Sequence, residues 1–493
     1  MPSKKKVSLP TDSELLELLY KYNPWWQNKE ISTEEIQRSD FFKIKERLND
    51  NEILAIIGPR RVGKTILLHQ LIKEIRTNTL KENILFISID NPAIQLTNSL
   101  IKIFNIYQTN ILKIPFSDLK DKIYIFLDEI QSFKNWESEL KSLYDLKYNI
   151  KFIVTGSSSV NIIEGASEAL VGRIHPQIML PIKFRDYIRF RNYGISDLID
   201  LTRISSKNMR NALKDALSNS KSIIFYDQIK TELNNLIPYK DRILAELNNY
   251  FLYGGYPQIT FNVDERKAKE YLEDYISLTL LKDIRKLFKI KKTDVLSILF
   301  YLLCKTSPHL INKTELCNVL KIDKNTLYTY IDALKTTFLI SESSLFSNRP
   351  YNIVRTEQKK IYAIDIGIRN SSSNLLDSQI FADNMKIGDI AEIVIATHTN
   401  RLIFNLEGTK NNKIYYWKES GQGPEVDIVI TPFSTILPIE VKYQNSIGDS
   451  DMTGLKKFNR KFKTSLSLMI TKEELEYKDS IIKMPAWLYL IMC

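Results

Sequence analysis

Cysteine is nearly absent from this 493-residue chain: Cys304, Cys317 and Cys493 are the full complement, and no two stand in a CxxC pair. That usage excludes a disulfide framework and a zinc ribbon, and it predicts a reducing, cytoplasmic compartment. Histidine is almost as scarce. His69, His175, His309 and His398 sit in unlike contexts without ligand spacing and read as structural. With only 15 Gly and 16 Pro there is little room for linkers or low-complexity tracts, so domains should abut. Apolar runs such as ILFYLLC at 298–304 are far short of a bilayer span, and no apolar segment follows the MPSKKK start. Neither a membrane helix nor a signal peptide is expected.

What is present is a globular composition, 44% hydrophobic and 26% charged, in a chain long enough for three or four cores. The 69 Lys and Arg exceed the 58 Asp and Glu, and the resulting +11 favours a polyanionic partner without demanding one.

The sharpest signal is ILAIIGPRRVGKTILLHQLI at 53–72, an apolar strand that runs through GPRRVGKT into a helix with Leu67, Leu68, Leu71 and Ile72 at helical spacing. Gly58 and Gly63 permit a tight loop whose amides cradle phosphates, with Pro59, Val62 and Ile66 completing the cradle. Lys64 is expected to reach the β and γ phosphates of ATP, and the Thr65 hydroxyl to ligate Mg2+. Arg60 and Arg61 are candidates either for phosphate contact or for pairing with nearby carboxylates.

A second buried strand, IYIFLDEIQ at 123–131, ends in Asp128 and Glu129 as a Walker B strand does. Asp128 is expected to hold the magnesium and Glu129 to prepare the attacking water; otherwise the pair is a solvated strand end. A third strand, KFIVTGSSS at 151–159, makes Thr155 or Ser157 a candidate sensor of the γ phosphate. Beyond it, SEALVGRIHP carries Arg173, a planar cation suited to reach a phosphate in the same or an adjacent subunit.

Near the C-terminus GPEVDIVITPFSTILPIEVKY, residues 423–443, alternates like two strands. An antiparallel hairpin turning at Phe433 and Ser434 sets Asp427 opposite Glu440, with Lys442 on the same face. Two carboxylates and an amine so gathered suit an oxygen-ligated divalent metal beside an attacking water, although the pattern alone is cheap. After the hairpin, DMTGLKKFNRKF puts Leu455, Phe458 and Phe462 on one helical face and Lys456, Lys457, Arg460 and Lys461 largely elsewhere. That helix is either a phosphate-backbone rail or a solvated amphipathic helix.

The motifs NPWW at 23–26, GPRRVGKT, FLDEIQ, FIVTGSSS, SEALVGR and LPIKFRDY, followed by YGGYP at 253–257, KIYAIDIGIRN at 360–370, EVDIVI and IEVK, together resemble a family of archaeal and bacterial AAA-type P-loop ATPases. Members carry a C-terminal region related to the PD-(D/E)xK nucleases. The likeness implies an α/β multidomain chain: a P-loop ATPase domain with a parallel sheet and an N-terminal extension at 1–195, a helical lid at 196–290, a winged helix at 291–348 and the nuclease-like domain at 349–493. It also implies a helix before the hairpin that brings a further carboxylate to the metal; Glu392 is the candidate, with Asp389 weaker.

Residues agree locally with this plan. Asn312 suits the cap of one helix, and Leu327, Tyr330, Ile331 and Leu334 share the inner face of the next. Lys324, Asn325, Tyr328 and Thr329 then project from a recognition helix toward DNA or a protein, while Asp332 opposes phosphates. The leading expectation is an ATP-hydrolysing protein acting on nucleic acid, with nucleotide state controlling the C-terminal metal site. The second is an ATP-dependent switch or scaffold with an inactive nuclease-like domain, and a DNA-binding regulator is third. A homo-oligomer is compatible with all three.

Overall fold

A computed structural model of the protein describes residues 9–157, 170–261, 264–347, 358–408, 413–419, 421 and 423–493. It divides into two compact units, Met1–Leu180 and Pro181–Cys493. Three expectations fall wholly or partly outside the described residues: the MPSKKK start, the first half of SEALVGR and the end of the GSSS turn.

The first unit is built on strands β1 (Ile53–Ile57), β2 (Ile84–Ser88), β3 (Ile123–Asp128), β4 (Ile150–Gly156) and β5 (Ile174–Ile178). All pair in parallel, in the order β2-β3-β4-β1-β5. β1 is buried along its whole length, as a strand covered on both faces must be. At the β2 edge the NPWW motif takes the place of another strand. Asn23 accepts from Phe86 N and donates to Phe86 O at 2.7 and 2.9 Å, and the indoles of Trp25 and Trp26 both donate to Ile84 O. An edge that would otherwise expose unpaired backbone is thereby closed.

In the second unit, helices Ser196–Asn219 and Ser222–Leu236 pack together, and Lys240–Tyr253 packs against Phe184–Arg191. A nine-stranded sheet follows, in the order β13-β14-β12-β11-β10-β9-β7-β8-β6. Its strands are β6 (Leu310–Asn312), β7 (Ile340–Leu345), β8 (Gln358–Ala363), β9 (Tyr415–Lys418), β10 (Glu425–Ile430), β11 (Leu437–Lys442), β12 (Ser467–Thr471), β13 (Glu476–Lys478) and β14 (Ile481–Pro485). Helix Asn384–Glu407 packs against β8, β10 and β11. Helix Thr453–Phe462 contributes Leu455 and Phe458 to a core with Trp417, Val426 and Val429.

This grouping differs from the four segments read from the sequence. The first boundary moves from 195 to 180 because Phe184 and Tyr187 pack their rings on Tyr250, and Phe184 N donates to the buried His398. The boundary at 290 dissolves because the YGGYP and IDIGIRN motifs interlock: Gly255 N donates to Asp365, and Asn370 donates to the carbonyls of Phe251 and Leu252. The boundary at 348 falls inside a hairpin, since β8 pairs antiparallel with both β7 and β6.

Candidate nucleotide site and C-terminal carboxylate centre

The parallel strands of the first unit end on a common edge, where the loop after β1, the end of β3 and the end of β4 meet. Ligands of open α/β sheets bind at that carboxyl edge. Gly58 is dictated by close approach, because a Cβ there would stand 1.9 Å from Met179 O, just beyond β5. Gly63 has φ 96°, a conformation that favours glycine, and from it helix Lys64–Ile75 starts with its amide ends toward the loop. Arg61 takes φ 60° and is exposed, Arg60 is half-buried, and Ile66 lies exposed on the first helical turn.

Around this loop the charged groups are close. Lys64 Nζ donates to the carbonyls of Gly58 and Pro59 at 2.9 and 3.0 Å and stands 3.9 Å from Glu129. Thr65 Oγ1 donates to Asp128 Oδ2 at 2.7 Å. Burial pushes the Asp128 carboxyl up, opposed by hydroxyl hydrogen bonds from Thr155 and Thr65. A hydroxyl and a carboxylate oxygen side by side, below a loop of amides and an ammonium, make a donor set that fits Mg2+ with ATP. Thr65 and Asp128 would hold the ion, which when bound supplies charge neutralisation at the phosphates.

Glu129 follows with φ 54°, a left-handed backbone that costs a non-glycine residue about 1–2 kcal/mol. Its N–H is held by Thr155 Oγ1 at 2.9 Å. Thr155 also donates to Asp128 Oδ1 and is completely buried. The sequence expectation of a γ-phosphate sensor at Thr155 is therefore corrected: its hydroxyl is spent inside the protein, fastening both acidic residues. Ser157 instead accepts from Gln131, which also donates to the Glu129 carboxylate. Gln131 was missed by sequence reasoning, although it stands two residues after Glu129 in FLDEIQ. Arg38 was missed too; it donates to Val62 O at 3.0 Å and to Leu180 O, bracing the loop from outside.

Arg173 lies at the opposite edge. Its carbonyl accepts from Ile53 N, at the start of β1, and its guanidinium pairs with Asp145 at 2.7 Å. Five residues of strand at about 3.3 Å each separate that end from Gly58, so Arg173 stands beyond reach of the nucleotide edge of the same subunit.

The C-terminal hairpin has the register read from its alternation. Ile428 faces Ile439, and Phe433 and Ser434 take φ 52° and 63° at the turn. Asp427 N donates to Glu440 Oε2 at 3.4 Å, Val441 N donates to Asp427 Oδ2 at 3.0 Å, and Lys442 pairs with Glu440 at 2.8 Å. Glu392 is also brought in, but toward an ammonium. Lys360 of β8 lies 2.9 Å from Glu392, 3.1 Å from Asp427 and 3.1 Å from Glu425. Tyr362 donates to Glu392 at 3.0 Å.

Burial and the neighbouring Asp427 push Glu392 up to about 7 and Glu440 up to about 8. Despite its burial, Asp427 is held below the usual carboxylate range by Lys360 and Lys442. Lys442 is pushed upward by Glu440 and Asp427 against its own burial. This donor set does not fit the expected metal: oxygens of Glu392, Glu425 and Asp427 converge on the buried Lys360 ammonium, and Glu440 is taken by Lys442. The signal for Lys360 and Tyr362 was their shared face in KIYA, an alternation easily mistaken for an edge strand.

The basic rail is corrected as well. Lys456 pairs with Asp449 and Lys457 with Glu419, so half of its four cations are met by carboxylates of the protein, while Lys461 lies over the Trp417 ring.

A family profile described as "AAA domain" matches residues 50–188. Two profiles described as domains of unknown function, DUF8612 and DUF4143, match 244–379 and 387–489 and assign no activity. The chain is 26% identical over 392 residues to the uncharacterized protein MJ1544 of Methanocaldococcus jannaschii, covering 78% of this chain and 74% of that one. It is also 26% identical over 471 residues to MJ1637 of the same organism, covering 92% and 88%. Among solved structures, the Aeropyrum pernix ORC1 protein in complex with DNA is 11% identical with a TM-score of 0.27, over 78% of this chain and 97% of that one. Thermotoga maritima RuvB, a Holliday junction branch migration motor, is 16% identical with a TM-score of 0.26, over 62% and 90%. Scores this low carry no weight beside the coordinates. Residues 50–188 thus match an AAA domain by profile, and the loop and strand ends there have P-loop geometry. No helix among the described residues is long and apolar enough to cross a membrane.

Proposed function

We propose that the protein binds and hydrolyses ATP with Mg2+ and couples turnover to engagement of nucleic acid, DNA foremost. The observation that carries the reading is the meeting of Lys64, Thr65, Asp128 and Glu129 on one edge of the parallel sheet. In the bound state the Lys64 ammonium exchanges the Gly58 and Pro59 carbonyls for phosphate oxygens. Glu129, steered by its strained backbone and by Gln131, accepts the proton of the attacking water. Arg173 supplies charge from a neighbouring subunit of a homo-oligomer, after release from Asp145.

The nucleic-acid half rests on residues 293–363, which read as a winged helix: helices Thr293–Thr306, Lys313–Leu320 and Lys324–Thr336, with β6, β7 and β8 as its sheet. Asn312 caps the second helix by accepting from Thr314 N and Glu315 N. On the third helix Lys324, Asn325, Tyr328 and Thr329 are exposed, and Lys313 Nζ stands 4.6 Å from the Tyr328 ring centroid. Asp332, expected to repel phosphates, is paired with Lys335 at 3.3 Å. Of the two expectations for the C-terminal domain, the pairing of Lys360 favours a binding or scaffold role over cleavage.

ATP turnover measured with and without single-stranded DNA, duplex DNA and RNA tests the coupling. The reading expects stimulation by at least one of them, and a Lys324→Ala variant should weaken it and lower the salt slope of binding by about one. Turnover indifferent to every nucleic acid, with no binding by any, would remove that half.

A further inference from the structure

Lys360 is 2% exposed. An ammonium taken out of water costs several kcal/mol unless it is closely paired, and its surroundings are built for pairing. Glu392 comes from helix Asn384–Glu407, Glu425 and Asp427 from β10, and each places an oxygen 2.9–3.1 Å from Nζ. These are hydrogen-bond distances of an ammonium, whereas Mg2+ draws oxygens to about 2.0–2.1 Å. The other oxygens nearby are also engaged: Asp427 Oδ2 by Val441 N, Glu440 by Lys442 and by Asp427 N. Tyr362, two residues from Lys360 on the same face of β8, donates to the same Glu392 oxygen. An ammonium and a dication cannot share these oxygens, because their charges would stand a few ångströms apart inside the protein.

We infer that Lys360 is the resident cation of this centre, standing where a divalent ion would have to stand and making it a metal-free junction between β8, helix Asn384–Glu407 and the β10–β11 hairpin. The inference is independent of the ATPase reading, since no residue is shared with the nucleotide site. One consequence is specific: removing the ammonium while keeping its apolar stem should uncover a cation site formed by Glu392 and Asp427.

The test is a Mn2+ titration followed by electron paramagnetic resonance on the full-length, nucleotide-free protein. Wild type should show no Mn2+ site that Asp427→Asn abolishes. Lys360→Met should gain one site, at least tenfold tighter than any other Mn2+ binding to that variant, and Lys360→Met/Asp427→Asn should lose it again. Retained ATP turnover and a cooperative melt verify that the variants fold. A folded Lys360→Met variant without the new site overturns the inference. So does wild-type protein that binds Mn2+ through Asp427, a comparison that decides the matter even if Lys360→Met fails to fold.

Discussion

Replacing Thr155 by valine keeps the side chain's shape and deletes one hydroxyl, which in the native site donates to Asp128 Oδ1 and accepts the Glu129 N–H at 2.9 Å. Both partners lose their bond where water cannot follow, because Thr155 is fully buried. An unsatisfied buried polar group costs about 1–3 kcal/mol, so the two together should cost roughly 2–6 kcal/mol. In a unit of this size each kcal/mol moves Tm by about 2–4 °C, which puts the expected drop at roughly 4–24 °C. If about 2 kcal/mol of the loss reappears on the barrier through a misdirected Glu129, kcat falls about 30-fold. ATP affinity should change less than about threefold, since Thr155 offers no surface to a ligand. Phosphate release gives kcat, titration with a fluorescent ATP analogue gives Kd, and Thr155→Ser should restore both kcat and Tm. A tenfold loss of affinity with an unchanged Tm would refute the reasoning and return Thr155 to direct phosphate sensing.

Two further predictions concern separate parts of the molecule. Arg173→Ala should lower kcat at least tenfold with little effect on Kd, and mixing it with Lys64→Ala protein should restore turnover, because each supplies what the other lacks; no recovery in mixtures would reject action between subunits. In the second unit, Glu392 and Glu440 have folded values raised to about 7 and 8, so the stability they contribute is complete below about pH 4.5 and is lost as pH rises through those values. Asp427, lowered in the fold, gives way only at acid pH, and Lys360 and Lys442, both raised, only at alkaline pH. The Tm of that unit should therefore fall between about pH 5 and pH 8, less steeply in Glu440→Gln, and a Tm that rises over the range would contradict the pairing.

Local periodicity carried much of this fold in the sequence. The alternation in EVDIVI and LPIEVK fixes a register, because a slip of one residue would turn buried Val426, Ile428 and Ile439 to the wrong face. GPRRVGKT was legible because tight backbone, amide donors and a cation can be supplied in few ways. Long-range pairing was not legible. Nothing near Glu392 on its helix announces that its partner is Lys360, 32 residues away on a strand. The expectation of magnesium answered a correct question, what could neutralise a buried carboxylate, with the wrong cation. Thr155 failed similarly: a hydroxyl at a strand end looks available until the neighbouring strand engages it. NPWW gave no hint that its side chains would close a sheet edge, since backbone mimicry by Asn23 depends on a strand 63 residues away.

The central claim, that the edge holding Lys64, Thr65, Asp128 and Glu129 is an ATP-hydrolysing site, is tested most directly by one paired measurement on Glu129→Gln: equilibrium ATP binding and single-turnover hydrolysis under the same conditions. The amide keeps the size of the side chain and cannot take a proton from water, so ATP should bind with wild-type affinity while hydrolysis slows by about 10²–10⁴-fold. Lys64→Ala, run alongside, should instead lose tight binding. Hydrolysis by Glu129→Gln at the wild-type rate, or tight ATP binding by Lys64→Ala, would contradict the account.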